Sequence, residues 1–518
     1  MKTRWILVLG LLLVGACGNQ AAVGLRYRLE RDLWKLTQEF RRLSIKPLLV
    51  EQETWRSLAV RFETLAASTS TTLQGSGANS QDPAVHDARS LVARALVNAA
   101  QLRSVIGDSV EMLADYERVI ADFQDVPLIV GEVALAQGRL AEGRRQWDAA
   151  VSAYTSILDR VEPRPEEPGV PSAVLELPLR IARLQVQSLA AAQPGDTSAA
   201  TRAVARALYD PARQRYNGWI AAHPKSRIEL EARIKLADIA GDLGQWSEAL
   251  GELRQVEAQL VAMQDPALDP GHIRFSMAAA LARAQVQPES TATMLLSVVK
   301  DYPKSPAAPR ALLSLALQSA GQGAPNEALD YLDRLRDEYP EAEDLLAEGM
   351  LTRARILERE SRWPEALDVY KSLPVQHPLS AAALQAPLEI VAHYQRVEDA
   401  AQMTAALAQA ERDYRDFLSR YPRSRGTITA RTNLVRTLML QKQSEAALTE
   451  LLGIAESLRE SPDGANFMLQ AARLAYGDMK DPKRAADILA NLGTRYPNME
   501  IGRWAAGEAT RLREVKTP

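Results

Sequence analysis

Few side chains in this 518-residue chain have the types and spacing that chemistry requires. Its one cysteine, Cys17, cannot form an internal disulfide. The five histidines, at positions 86, 223, 272, 377 and 393, include no pair at metal-ligand spacing on a helix, so no metal site is expected. Gly321 to Gly323 precede a helix but lack the Lys-Ser/Thr of a phosphate loop and the strand before it, which makes them an inter-helix turn. The sharpest catalytic candidate is Glu456, a carboxylate beside Ser457 with Gly464 and Met468 to Gln470 downstream. Only 62 residues follow Glu456. The expectation is therefore a chain with no catalytic residue and no cofactor.

Composition points the same way. Hydrophobic residues make up 47% and charged residues 25%, with a net charge of −3 that gives no footing for nucleic acid. Aromatics are only 5%, and the Ala- and Leu-rich remainder favours helix over sheet. Residues 1–16 have a basic start, Lys2 and Arg4, and an apolar run of 12 residues from Trp5 to Ala16. A run of that length suits a signal peptide better than a membrane span, which needs about 20 residues. It ends in Val14-Gly15-Ala16-Cys17, which resembles the lipobox of bacterial lipoproteins. That resemblance implies cleavage before Cys17 and acylation of the cysteine, hence a membrane tether. Gly18, in place of the Asp associated with inner-membrane retention, implies the periplasmic face of the outer membrane.

Behind the anchor, residues 17–83 are expected to form an N-terminal helical segment. Leu29, Leu33, Leu36 and Phe40 make one apolar stripe, read as packing on a neighbouring helix rather than on a membrane surface. A second helix is expected to end near Ala67, with the polar, Gly/Ser-rich Ser68 to Pro83 as a flexible loop.

Residues 84–518 are helix after helix, organised around one pattern. In the stretch Trp363 to Ser380, Trp363, Ala366 and Tyr370 share one helix face, Pro374 and Pro378 are expected to stop the helix, and Ser380 to cap the next. Trp147, Ala150 and Tyr154 repeat the spacing, as do Trp246 and Ala249, while Ala328 marks a copy without the tryptophan. Twelve residues before each alanine stands another small residue: Gly138, Ala237, Ala316 and Ala354, where two helices would cross closely. The stops also recur, as His223-Pro224-Lys225-Ser226, Tyr302-Pro303-Lys304-Ser305, His377-Pro378-Leu379-Ser380 and Tyr421-Pro422-Arg423-Ser424. Pro303, Pro340, Pro378 and Pro422 lie 37, 38 and 44 residues apart. Residues 163–224 depart from this period, with a Pro-rich turn and long helices.

This design, over about residues 108–513, resembles the tetratricopeptide repeat, with units lengthened as in outer-membrane assembly lipoproteins of the BamD type. The resemblance implies an all-α, right-handed superhelical solenoid of helix-turn-helix repeats whose first helices line a groove. By that analogy Arg139, Glu142, Asp238, Arg355 and Glu358 would face the groove, with Leu135, Ile234, Leu313 and Leu351 between them. The implied role is a non-catalytic, lipid-anchored scaffold that binds other envelope proteins, in outer-membrane assembly or polymer export. Two alternatives stand beside it. Glu456-Ser457 loosely resembles the catalytic pair of lytic transglycosylases, which would make the protein a peptidoglycan-acting enzyme or the activator of one. A SusD-like carbohydrate-capturing role would need aromatic platforms, and too few of the eight tryptophans remain outside the leader and the packing slots.

Overall fold

The structure, a computed structural model, describes residues 3–44, 51–75, 83–263, 268–284, 288–459, 461–497 and 499–514. These residues are helical throughout, joined by short turns, with no strand among them. Among them no helix is long and apolar enough to cross a membrane. The chain packs as two compact units, residues 1–235 and 236–518.

In the first unit, helices Thr3–Ser44, Gln52–Gly75, Pro83–Val105 and Ser109–Asp122 build one core. Leu29, Leu33 and Leu36 of the first helix are buried in it with Leu58, Phe62 and Leu96, so the N-terminal helices share their core with those that follow. The expected flexible loop is shorter than its composition implies. The second helix continues through Ser68 and ends at Gly75. Its hydroxyls turn back on their own helix, Thr69 to the carbonyl of Leu65 and Thr72 to that of Ser68, each at 2.8 Å, and Thr69 is buried. The rest of that loop, residues 76–82, lies outside the described residues. Hairpin Pro127–Gly143/Trp147–Leu158 is followed by the Pro-rich turn, a short turn of helix at Val170–Ala173, and helices Leu177–Ala192, Ala199–Ala207 and Asp210–Ala222. The second long helix expected here is thus broken at Leu208-Tyr209, and Pro211 opens the next piece.

The second unit is a succession of hairpins: Ala307–Gly321/Pro325–Glu338, Glu343–Arg359/Trp363–Gln376, Ala381–Arg396/Ala400–Arg420, Thr427–Leu440/Ser444–Ser457 and Pro462–Tyr476/Pro482–Arg495, closed by Glu500–Glu514. One turn geometry recurs within them. Helix Glu343–Arg359 ends with Ser361 at φ 62°, which lets the N–H of Arg362 donate to the carbonyl of Leu357 at 2.8 Å and that of Ser361 to Glu358 at 3.0 Å. These paired bonds satisfy carbonyls that a helix end leaves bare. The same left-handed residue two positions before the second helix is Gly244, Gly323, Glu398, Lys442 and Lys480 in other hairpins of this unit. Only some are glycine, so the residue type hides the repeat while the backbone keeps it.

The junctions between hairpins share a second geometry. Tyr339, His377, Tyr421 and Tyr496 all follow a helix with φ between −135° and −125° and ψ near 55°, and each donates its N–H to the carbonyl four residues earlier. His223 of the first unit does the same. Ser380 then accepts from the N–H of Ala383 at 3.1 Å, the expected cap. Ser424 departs from the pattern: its hydroxyl is buried without a hydrogen-bond partner, because an extra turn through Gly426 moves the next helix start to Thr427. Pro374 is also corrected. It lies inside helix Trp363–Gln376, which runs on to Gln376, and Pro378 follows the true end. The cost of Pro374 is one missing donor to the carbonyl of Tyr370, not a stop.

Candidate partner-binding surface

The small residues of the pattern make the crossings tight. Ala150, Ala316, Ala328, Ala354 and Ala366 are fully buried, and Ala237 and Ala249 nearly so. At Gly138 a side-chain carbon would stand 2.3 Å from the Tyr154 ring, so only glycine admits that tyrosine at this spacing. Trp147, Trp246 and Trp363 sit half-buried at the hairpin turns. Trp363 stacks on His393 with ring centroids 3.4 Å apart and meets Tyr370 and Tyr394. Trp246 lies against Gly241 and under the guanidinium of Arg283. The Trp246 and Trp363 rings are thus occupied by protein.

The charged residues expected to line a groove are largely engaged with their own chain. The Glu358 side chain is only 11% exposed and takes three donors: Tyr370 at 3.1 Å, Arg396 at 2.7 Å and the His393 ring at 2.7 Å. Burial would raise its pKa, but the bonds from Arg396, His393 and Tyr370 together hold the carboxyl below its ordinary range. Glu142 takes Tyr154 at 2.9 Å and Arg180 at 2.9 Å. Arg355 pairs with Glu389. Arg139 is exposed, and Asp238 is partly buried and engaged. Leu135, Leu313 and Leu351 are buried in the cores rather than presented, because the close crossings turn that face of each first helix inward. Ile234 is partly buried.

A concave surface does exist, and sequence reasoning missed it. Helices Trp363–Gln376, Ala381–Arg396 and Ala400–Arg420 enclose a groove of about 550 Å³. Its apolar wall comes from Leu367, Pro374, Pro387 and Ile390, and its polar rim from Gln402, Gln409 and Asp413. Pro374 and Pro387 stand inside helices, leaving the carbonyls of Tyr370 and Ala383 without their intrahelical donor on this side. Burial pushes the Asp413 carboxyl up, against a 2.7 Å bond from the Gln409 amide. The signal available in the sequence is a pair of prolines thirteen residues apart, Pro374 and Pro387, of which Pro374 alone is expected there as a helix stop. The first unit has a cavity of about 660 Å³ lined by Ile181, Leu208, Pro211 and Trp219 of the irregular stretch 163–224 and by Thr155 and Leu158 of the helix before it.

The catalytic candidate is placed without a site. Glu456 ends helix Ser444–Ser457 paired to Arg495 at 2.9 Å and Arg459 at 3.6 Å, and the Ser457 hydroxyl donates to its own helix at Ile454. Met468 is buried. Among the described residues no cluster of histidine, cysteine or carboxylate side chains could hold a metal. Cys17 falls in the backbone span of helix Thr3–Ser44, but its side chain lies outside the described residues.

The fold and its recurrent turns define an all-α protein of stacked helical hairpins. Residues 310–342 and 467–498 match the tetratricopeptide repeat family, so the chain carries repeats of that type. No curated protein sequence matches the chain. Among solved structures it is similar to a tetratricopeptide repeat protein from Parabacteroides merdae, at 15% identity and TM-score 0.29, covering 54% of this chain and 98% of that one. It is also similar to yeast Tom70, at 12% identity and TM-score 0.37, covering 89% and 96%. A third is Rap protein complexed with competence and sporulation factor, at 11% identity and TM-score 0.33, covering 73% and 99%.

Proposed function

We propose that this protein is a lipid-anchored scaffold of the bacterial envelope that holds a segment of another envelope protein in the groove of its second unit. Tetratricopeptide repeats are interaction modules, which supports a protein partner. The observation that carries the reading is the groove itself: an apolar floor with a few amide and carboxyl groups at its rim suits an extended or helical peptide. The Val14-Gly15-Ala16-Cys17 sequence supports the anchor, and Gly18 the outer membrane.

The groove is tested by in-cell photocrosslinking from Ala405, which lines it, with the exposed Thr449 as control. A discrete adduct from Ala405 alone, lost on Ile390→Glu with the fold intact, is expected. The same adducts from both positions, or none from either, would sink the reading. Cys17→Ala should release the chain from membranes, and persistence of that variant in the detergent phase would remove the anchor.

A further inference from the structure

Helix Thr3–Ser44 has a second face that its core does not use. Leu29, Leu33 and Leu36 are buried, while Val23, Tyr27 and Trp34 point away from them, with Tyr27 68% and Trp34 62% exposed. Tyr27 and Trp34 are seven residues apart, so they stack two turns along one line, and Val23 extends the line by another turn. Two large aromatics in a solvated row are unusual in a chain with so few aromatic residues. The flank of that row is basic. Arg31, Lys35 and Arg42 are exposed on one side of it, Arg41 continues it seven residues beyond Trp34, and Glu30 is the one exposed carboxylate on its other side. From Leu25 to Ser44 the helix carries six basic and three acidic residues, although the whole chain has a net charge of −3.

From this face we infer that the Val23/Tyr27/Trp34 row is an interfacial membrane contact, lying in the headgroup layer of an anionic bilayer. Tyrosine and tryptophan prefer that layer because their rings are apolar and their polar tips remain hydrated. The basic flank would meet lipid phosphates, with about 1 kcal/mol for each Lys or Arg near an anionic surface. Asp32 takes part of this charge by bonding Arg31 at 2.9 Å and approaching Lys35 at 3.7 Å, which leaves Arg41 and Arg42 as the principal headgroup contacts. The inference rests on the membrane placement proposed above and adds an orientation to it. A single acyl tether leaves a protein free to swing, whereas a helix lying in the interface fixes which side faces the bilayer.

The test reads Trp34 itself, so it is independent of how the chain is anchored. The full chain is reconstituted in vesicles of phosphatidylcholine with phosphatidylglycerol, doped with brominated lipid. Wild type and Trp34→Phe are compared, and their difference isolates Trp34 from the other tryptophans. Expected are quenching of the Trp34 component by brominated lipid and its protection from aqueous acrylamide. Both should weaken in Arg41→Glu/Arg42→Glu and in phosphatidylcholine alone, and Tyr27→Ser should lower the vesicle-protected fraction by about tenfold. A Trp34 component untouched by brominated lipid and open to acrylamide overturns the inference while Cys17→Ala can still show the anchor to be real. Protection of Trp34 without vesicles, rising with protein concentration, would instead assign the row to a second copy of the chain and also overturn it.

Discussion

The Tyr370 hydroxyl donates to Glu358, twelve residues earlier, and the Tyr154 hydroxyl donates to Glu142 across the same interval. In both hairpins an arginine 38 residues after the glutamate, Arg396 or Arg180, closes on the carboxylate from the next helix. Each trio therefore bolts three successive helices of one unit together. In the copy built on Trp246, Leu253 replaces the tyrosine and Gly241 the glutamate, and the Trp246 ring comes within 3.2 Å of the place where a Gly241 side chain would begin. Polar and apolar versions of the crossing are thus exchanged as complete sets.

Tyr370→Phe removes one donor from a carboxylate that keeps two others. A loss of about 1 kcal/mol in denaturant unfolding is expected, with little change in the secondary structure. Glu358→Gln should cost more near neutral pH, because Arg396 and His393 lose a charged acceptor. The lowered pKa of Glu358 fixes the pH sense. A carboxylate held below its unfolded value contributes stability above that value and loses it as pH falls through the folded one. The difference between wild type and Glu358→Gln should therefore narrow on acidification below about pH 4, and thermal unfolding across that range measures it.

Asp115 predicts the opposite slope. Burial, then the charge of Glu63, raises its carboxyl to about 7, and Arg103 only partly offsets this. Arg103 lies 3.5 Å from Asp115 but is committed at 2.8 Å to Glu63, and Asp115 Oδ2 has no hydrogen-bond partner. The native state then holds a proton that the unfolded chain releases near pH 4, so stability should fall from pH 4 to 7. Asp115→Asn should flatten that fall and melt higher than wild type at pH 8. An equal slope in both proteins would remove Asp115 as its source.

Much of the architecture was legible because close crossings need small residues at fixed intervals, and helix stops need Tyr/His-Pro. Ala354 and Ala366 announce a crossing through size alone. The groove was not legible for a related reason. Proline stops a helix only when no neighbouring packing holds the chain helical, and Pro374 lies between buried Leu373 and a helix end at Gln376. The charges of Glu142 and Glu358 were visible, but a charge on a helix face does not say whether the next repeat supplies its counterion. The Glu-to-Tyr interval of twelve carried that information and became meaningful only once the hydroxyl bonds were in view.

The hairpin turns predict stabilising substitutions. Ser361 and Lys442 hold φ of 62° and 61°, a region that side chains enter at a cost and glycine enters freely. Ser361→Gly and Lys442→Gly should each raise unfolding free energy by up to about 1 kcal/mol, net of the extra freedom glycine gives the unfolded chain. Gly244→Ala, at φ 71°, should lower it by a similar amount. Chemical denaturation midpoints at constant m-value read all three.

Gly138→Ala tests the crossing itself. The added carbon would meet Tyr154 at 2.3 Å on one ring atom and 2.7 Å on two others, while the bond to Glu142 and the Arg180 guanidinium over the ring resist displacement. Overpacking of this kind costs about 1–3 kcal/mol. Ala354 and Tyr370, both fully buried in the later hairpin, show that alanine and tyrosine can share a crossing, so the penalty should belong to the local geometry at Gly138 and not to the residue pair. Tyr154→Leu alone should also destabilise, by removing the hydroxyl from Glu142 and opening space. If the two penalties have the single cause inferred here, the double variant Gly138→Ala/Tyr154→Leu, which recreates the Ala237/Leu253 combination, should lose less than the sum of the two single variants by 1 kcal/mol or more, that is, about 1 kcal/mol of coupling in a double-mutant cycle. Simple additivity would mean that the Tyr154 ring does not set the size of residue 138.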